Sequence, residues 1–349
     1  MILVVSQSSK DIKSNATYSE VRSNDLEWPK YRSQKYWDYR KNWNEYPKKM
    51  ITSEFPLCLD IETTNICNLA CTMCSRTIQI EDGTYSDIGT MPMNLYKKMI
   101  DEGSKYNLPS IKLNYLGEPL ADKHIVERIR YAKQKGVIDV MFNTNASLLN
   151  EEISHKILEA GLDSIYFSVD GIFAETFNKI RIGTEYEIVL ENIKNFMKIK
   201  NNGDYKHVQT RVSMTVLPGM EKEMKPFANF WLPIVGQVGY GEWVDATGKG
   251  TKITVPNASV QTNYPYNPDF VCAQPFQRMF IMWDGTTTPC CLDMGRKYVT
   301  GNANNSSLKE IWDGPSYQKM RDIQISGRYP EIDICKECYM PQAKENTAV

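Results

Sequence analysis

The chain reads as an α/β protein in which six parallel strands alternate with helices, followed by a smaller cysteine-bearing region. Three observations predict this. Between residues 57 and 245, short runs rich in β-branched and aromatic residues alternate with longer segments whose apolar residues recur at helical spacing. Nine cysteines fall in two groups separated by about 200 cysteine-free residues. Residues 246–270, rich in Thr, Asn, Gly and Pro, mark a linker between the two parts.

Taken in order, residues 1–56 form an extension that packs on the main domain. Trp28, Tyr36, Tyr39 and Trp43 interleave there with Lys and Arg, and a short amphipathic helix is expected over 33–44. Strands are expected at Cys58–Thr64, Ile111–Tyr115, Val137–Asn143, Ser164–Val169, Val208–Leu217 and Gly236–Val244. Helices are expected at Asn94–Ser104, Lys123–Gln134, Asn150–Ala160, Tyr186–Lys200 and Glu221–Trp231, several of them opened by Asn, Asp or Gly. Strands joined by helices lie parallel with right-handed crossovers, and such sheets hold ligands at the C-terminal ends of their strands. Residues 271–341 carry a hairpin (Phe280–Trp283, a turn at Asp284-Gly285, Thr286–Pro289) and a helix near Ser307–Asp313; residues 342–349 form a tail.

Composition narrows the function. Lys and Arg total 41 against 42 Asp and Glu, a formal net charge of −1, which gives no electrostatic drive toward nucleic acid or an anionic membrane. The longest apolar stretches fall short of the roughly 20 residues a membrane span needs. The opening MILVV lacks a basic lead and a small-residue cleavage site, so a cytoplasmic protein is expected. An odd number of cysteines in a long chain argues against a disulfide scaffold and for metal or iron–sulfur ligation.

Cys67, Cys71 and Cys74 form a C-x3-C-x2-C run directly after the first expected strand. Three thiolates in a short loop can hold three irons of a cubane cluster and leave the fourth open. A zinc loop completed by a distant ligand is the alternative, with only three histidines in the chain to supply one. The run resembles the signature of the radical S-adenosylmethionine (SAM) superfamily, with Met73 before the last cysteine. The resemblance implies a partial (β/α)6 barrel. Its open iron would bind SAM, whose reductive cleavage yields a 5′-deoxyadenosyl radical that abstracts hydrogen from an unactivated C–H bond. It also implies SAM contacts at successive strand ends. Gly117, Glu118 and Pro119 match the motif for the SAM amino group. Asn143 and Asn145 match the ribose side, Ser168 and Asp170 the carboxylate or ribose side. Arg181 matches an arginine for the carboxylate, and Leu217 a position packing on adenine.

Near the C-terminus, Cys272, Cys290, Cys291 and the Cys335-x2-Cys338 pair resemble the SPASM/twitch region of radical SAM enzymes. That implies an auxiliary [4Fe–4S] cluster, with Cys272, Cys290, Cys335 and Cys338 as ligands and Cys291 spare; a zinc ribbon is the alternative. Five cysteines here suffice for one auxiliary cluster, closer to enzymes that dehydrogenate a secondary alcohol than to those with two auxiliary clusters. Dehydrogenation of a carbohydrate, aminocyclitol or sugar nucleotide is therefore expected, with the auxiliary cluster as electron acceptor and a flavodoxin or ferredoxin-type reductant. A sugar epimerase, a peptide-modifying enzyme and a non-enzymatic metal-binding scaffold are the alternatives. Glu62, Tyr115, Arg211, Glu242 and Asp245 are candidates for the proton-accepting group, and Cys291 for a hydrogen donor.

Overall fold

The computed structural model describes residues 3–4, 12–13, 18–83, 87–243, 266–336, 338 and 340–342; the tail beyond 342, Asp245 and most of the expected linker lie outside them. The chain enters through strand β1 (Tyr18–Arg22) and helix α1 (Gln34–Lys48). Then follow β2 (Cys58–Ile61), β3 (Ser110–Lys112), β4 (Asp139–Thr144), β5 (Ser164–Ser168), β6 (Gln209–Val216) and β7 (Gln237–Glu242). Each of β2 to β6 pairs in parallel with the next in chain order. Parallel neighbours require crossovers. These are α2 (Ser75–Glu81) with α3 (Met93–Lys105), then α4 (Ile125–Gln134), α5 (Glu151–Glu159), α6 (Ala174–Ile180) with α7 (Tyr186–Asn202), and α8 (Glu221–Val235).

The sheet stays open, so the barrel is partial. At one edge β1 runs antiparallel to β7, with Leu3–Val4 beyond it. At the other, β8 (Arg278–Ile281), from the C-terminal region, pairs in parallel with β2, and β9 (Thr286–Thr288) and β10 (Gly301–Asn302) add antiparallel strands. The eleven strands thus make one sheet. The extension does more than pack on the domain: it supplies an edge strand.

Burial alternates along β4, β5 and β6 with the strand period of two. Val140, Phe142, Ile165, Phe167, Val212 and Met214 are buried in the layer beneath the helices. Met141, Asn143, Tyr166, Ser168, Arg211 and Ser213 face the concave side and are only partly buried. The lumen is therefore polar while the outer layer is apolar.

Helix α1 closes the lumen at the strands' N-terminal ends. Ser33 caps it, accepting from the Tyr36 N–H at 3.4 Å. Tyr36, Tyr39 and Trp43 pack with Trp28 against Leu57 and Cys58. Arg32 donates to the Asp163 carbonyl at 2.7 Å and the Ser164 hydroxyl at 2.8 Å, and pairs with the carboxylates of Asp139 and Asp163 at 3.3 and 3.4 Å.

Boundaries depart from expectation where tertiary packing overrides local signals. α1 runs on to Lys48 rather than stopping near 44. α8 continues through Pro233 to Val235, where Gly236 ends it at φ 77°, because burying Trp231 and Val235 outweighs one forgone backbone hydrogen bond. In the C-terminal region come α9 (Gln274–Gln277) and α10 (Leu308–Asp313), the latter opened by a Ser307–Glu310 capping box. They precede α11 (Pro315–Ile325) and α12 (Asp333–Lys336). Helices α2, α6, α9, α11 and α12 have no counterpart among the helices expected from the sequence.

Replacing Arg32 with Met strips two buried carboxylates of a shared cation. The expected cost is about 3 kcal/mol or more of unfolding free energy, read by denaturant titration; a loss below about 1 kcal/mol would mean that the plug is held by its aromatics alone.

Candidate active site and its two cysteine nests

Beyond Ile61 the chain turns over the C-terminal ends of the strands. The Thr64 hydroxyl donates to the Gly89 carbonyl at 2.9 Å, and Asn65 grips the same loop, donating to the Asp87 carbonyl at 2.7 Å and accepting from the Gly89 N–H at 2.8 Å. Arg76 Nε donates to the Asn65 carbonyl at 2.5 Å. On the far side the Ala70 and Thr72 N–H groups donate to the carbonyls of Ile182 and Ile180 at 2.9 and 3.0 Å. The Cys67–Cys74 loop is thus clamped at both flanks. Burial pushes the Cys71 thiol up to about 12, with Cys67 and Cys74 each opposing its ionisation and the Arg181 guanidinium favouring it. Burial likewise raises Cys67. The three thiols of this one clamped loop lie in one another's field and together make up the first nest.

Gly117 is required by close approach: a Cβ there would stand 2.2 Å from the Thr64 carbonyl oxygen and 2.8 Å from that of Ile66. Glu118, buried ahead of Pro119, accepts from the Leu120 N–H at 3.1 Å, the Thr144 hydroxyl at 2.6 Å and the Asn145 N–H at 2.8 Å. Its carboxylate therefore ties the end of β3 to that of β4. Asn145 turns its amide toward the loop, donating to Asn68 Oδ1 at 3.1 Å with Cys67 Sγ at 4.0 Å. Arg181 engages the buried Asp170 carboxylate through Nε at 2.7 Å and Nη2 at 2.5 Å, and Asp170 also accepts from the Thr215 N–H at 2.6 Å. Leu217 is buried at the end of β6. Met73 is half-buried, and its carbonyl accepts from Trp243 Nε1 at 3.2 Å. Ser168 and Asn143 point into the lumen, the latter with a buried side-chain oxygen that accepts no hydrogen bond among the described residues.

The candidate proton acceptors separate. Glu62 is fully buried between the two halves of the chain: it accepts from the N–H of Leu116 and of Trp283, each at 3.3 Å. Burial outweighs these long bonds and holds its carboxyl up at about 7. The Tyr115 hydroxyl is buried with no hydrogen-bond partner among the described residues, its ring on Phe280 at 5.7 Å. Arg211 is spent on Glu20 at 3.7 Å and on the Tyr166 ring at 3.8 Å, so it holds the sheet edge rather than offering a base. Glu242 is exposed at the end of β7. Lys112, which the sequence reading passed over, faces the lumen; a lysine between Ile111 and Leu113 in a strand was the available signal.

The second nest lies against β2, β3 and β8. Cys272 stands in the field of Cys338 and Cys291, Cys335 in that of Cys272 and Cys338, and burial raises all three of Cys272, Cys335 and Cys338. Cys290 and Cys291 hydrogen-bond each other, and Gln274 Nε2 donates to Cys291 Sγ at 2.9 Å. Cys291 is therefore bonded to Cys290 and Gln274, and each of the five thiols lies in the electrostatic field of at least one other. Among the described residues no three His, Cys, Asp or Glu side chains close on one point as a single ion would need. The fit to a cluster rests on the donors: three thiols on one clamped loop, as a cubane with an open iron needs, and five in the C-terminal region, enough for the four ligands of a second cluster.

Comparison with known proteins agrees. Residues 61–230 match the radical SAM superfamily and residues 272–339 the SPASM iron-sulfur cluster-binding domain. A relative from Pyrococcus furiosus, described as a tungsten-containing aldehyde ferredoxin oxidoreductase cofactor-modifying protein, is 24% identical over 82% of this chain and 88% of its own length. Among solved structures, BtrN in complex with AdoMet and 2-DOIA superposes with a TM-score of 0.57 at 16% identity, covering 85% of this chain and 98% of BtrN. Streptococcus suis SuiB bound to its precursor peptide SuiA gives 0.59 at 14% identity, covering 89% of this chain and 79% of SuiB. No helix among the described residues is long and apolar enough to cross a membrane.

Anaerobically reconstituted protein should carry about eight irons, and Cys71→Ala about four with no 5′-deoxyadenosine formed. Iron analysis and chromatography check both; nucleoside released by the variant would move the reactive cluster elsewhere.

Proposed function

We propose that this radical SAM and SPASM chain takes a hydrogen atom from a hydroxyl-bearing carbon of a small polar substrate and oxidises that carbon to a ketone. The chain holds SAM, a [4Fe–4S] cluster at Cys67, Cys71 and Cys74, and auxiliary iron–sulfur chemistry at its C-terminal thiols. With these bound, the cofactors supply SAM cleavage, the hydrogen-abstracting radical and an acceptor for the substrate's last electron. Within the proposal, Cys272, Cys290, Cys335 and Cys338 are the auxiliary ligands, the reductant is a flavodoxin or ferredoxin-type protein, and the location is cytoplasmic.

The observation that carries the reading is the pairing of β8 with β2, which sets the second nest against the same polar lumen that the first nest caps. Oxidation of a secondary alcohol removes one hydrogen atom, one proton and one electron. Glu62 suits the proton. It lies at the junction, meets only backbone donors, and is neutral or ionised in comparable amounts near neutrality. The polar inward faces of β4, β5 and β6 suit a hydroxylated substrate. The fold shared with BtrN, whose structure holds 2-DOIA, supports a small polar substrate. A second reading, modification of a redox cofactor, draws on the Pyrococcus furiosus relative and its match over most of the chain.

Substrate deuterated at the reacting carbon should pass its label to 5′-deoxyadenosine, and the product should be a ketone. Solvent hydrogen at an inverted carbon would establish epimerisation instead. As a base Glu62 must be ionised, so kcat/KM should fall as pH drops through about 7. Glu62→Gln should lower turnover by about 10² or more and erase that limb. A limb retained in the variant would assign the proton to another group.

A further inference from the structure

Three cations reach the middle of the lumen, and only two are matched. Arg211 is held by Glu20 and stacked on Tyr166 and Tyr18. Arg278 pairs with Asp60 at 3.5 Å and lies over the Trp43 ring at 4.6 Å. Lys112 stands in register with Asp60 on β2 and Met141 on β4, so its side chain shares their concave face. Its ammonium makes no hydrogen bond and no ion pair within 4 Å among the described residues. The acids nearby are already engaged: Asp60 by Arg278, and Glu20 by Arg22, the Tyr18 hydroxyl and Gln237. The middle of the lumen thus holds three cations against two carboxylates.

Lys112 is partly buried and its ammonium is not among the buried polar atoms that lack a partner, so three donors with no acceptor among the described residues stand open to a ligand. Two further polar atoms on the same side are also incomplete: the Tyr115 hydroxyl, three residues along the chain, and the Asn143 side-chain oxygen on β4. A buried polar atom without a partner is uncommon in native proteins, and these two lie near the C-terminal ends of the neighbouring strands β3 and β4. An acceptor-rich anion answers the lysine, and hydroxyl donors answer the asparagine oxygen.

We infer that Lys112 is the seat for an anionic group of the substrate, a phosphate or a carboxylate carried on a hydroxylated framework. The inference rests on the proposed reaction for its setting and sharpens the substrate class. It favours sugar phosphates, sugar nucleotides and sugar acids over cationic aminocyclitols, which the unmatched positive charge repels. Burial, which holds the lysine below its ordinary value, is consistent with a site whose charge is completed on binding.

Calorimetric titration of the reconstituted, SAM-loaded protein with glucose 6-phosphate, glucuronate, glucose and glucosamine tests this. At least one of the two anions should bind more tightly than glucose, and glucosamine should bind least. The phosphate and the acid arms identify which anion is seated. Lys112→Met should weaken anion binding about tenfold or more, and Lys112→Arg should hold it within about threefold. Because no protein partner is lost, the melting midpoint of Lys112→Met should equal or exceed that of the parent. Anions that bind no better than glucose, unchanged affinity in Lys112→Met, or a lowered midpoint would each overturn the assignment. Wild-type protein that forms 5′-deoxyadenosine yet binds neither anion defeats the anion seat alone. Anion binding without SAM cleavage supports the seat and defeats the reaction.

Discussion

Everything at the site depends on the backbone ladder between β8 and β2. Four register pairs, Arg278 with Cys58 through Ile281 with Ile61, make the C-terminal region a continuation of the barrel sheet. A hinged domain joined only by a linker would leave the two thiol nests free to separate. Here their relative position is set by strand spacing and register, which a slip of one residue would turn inside out. The ladder continues past the strand, as the Glu62 N–H donates to the Ile281 carbonyl at 2.8 Å. The carboxyl of Glu62 then bridges the loops after β3 and β8, so one residue reports the alignment of both halves.

A polar lumen is an unusual interior, and the fold tolerates it by pairing. At the N-terminal end Arg32 answers Asp139 and Asp163 under the aromatic lid of α1. One level up, Glu20 and Asp60 answer Arg211 and Arg278. These pairs give little net stability over apolar packing, but removing either member of one is costly, so they define where charge is fixed. Among the described residues Lys112 is left without an ion pair, and the Tyr115 hydroxyl and the Asn143 oxygen are two of the buried polar atoms left without a partner. The extension therefore belongs to the site as well as to the fold: without β1 and α1 the lumen would open at its base and Arg211 would lose its carboxylate.

Much of this was legible in the sequence, for definite reasons. Parallel pairing follows from the alternation of strand and helix, and the chain order of β2 to β7 from the partial barrel that the family resemblance implies. The cysteine loop follows from spacing, and Gly117 from its place in the motif. Joining of the two halves was not legible, because the run Arg278–Ile281 reads equally well as half of a hairpin with Thr286–Thr288; it is both, with one edge on β9 and the other on β2. Lys112 and Arg211 look alike as single cations in strands. Only the tertiary structure shows that Glu20, almost 200 residues away, pairs with one, while the other forms no ion pair among the described residues.

The residues carried over from family resemblance also divide in a way only geometry reveals. Glu118 resembles a ligand for the SAM amino group; its oxygens accept three hydrogen bonds that align the ends of β3 and β4, which leaves the carboxylate a further acceptor site. Gly117 brings the same segment close to the cysteine loop. Arg181 is different. Its Nε and Nη2 are committed to Asp170, while it also lies in the field of Cys71 and Cys74. Asp170 orients the guanidinium, and the orientation keeps a fixed positive charge beside thiols that must ionise to bind iron. The same charge beside a ligand carboxylate would be reinforced by Asp170 rather than cancelled by it, because the pair holds the donor in place before the ligand arrives.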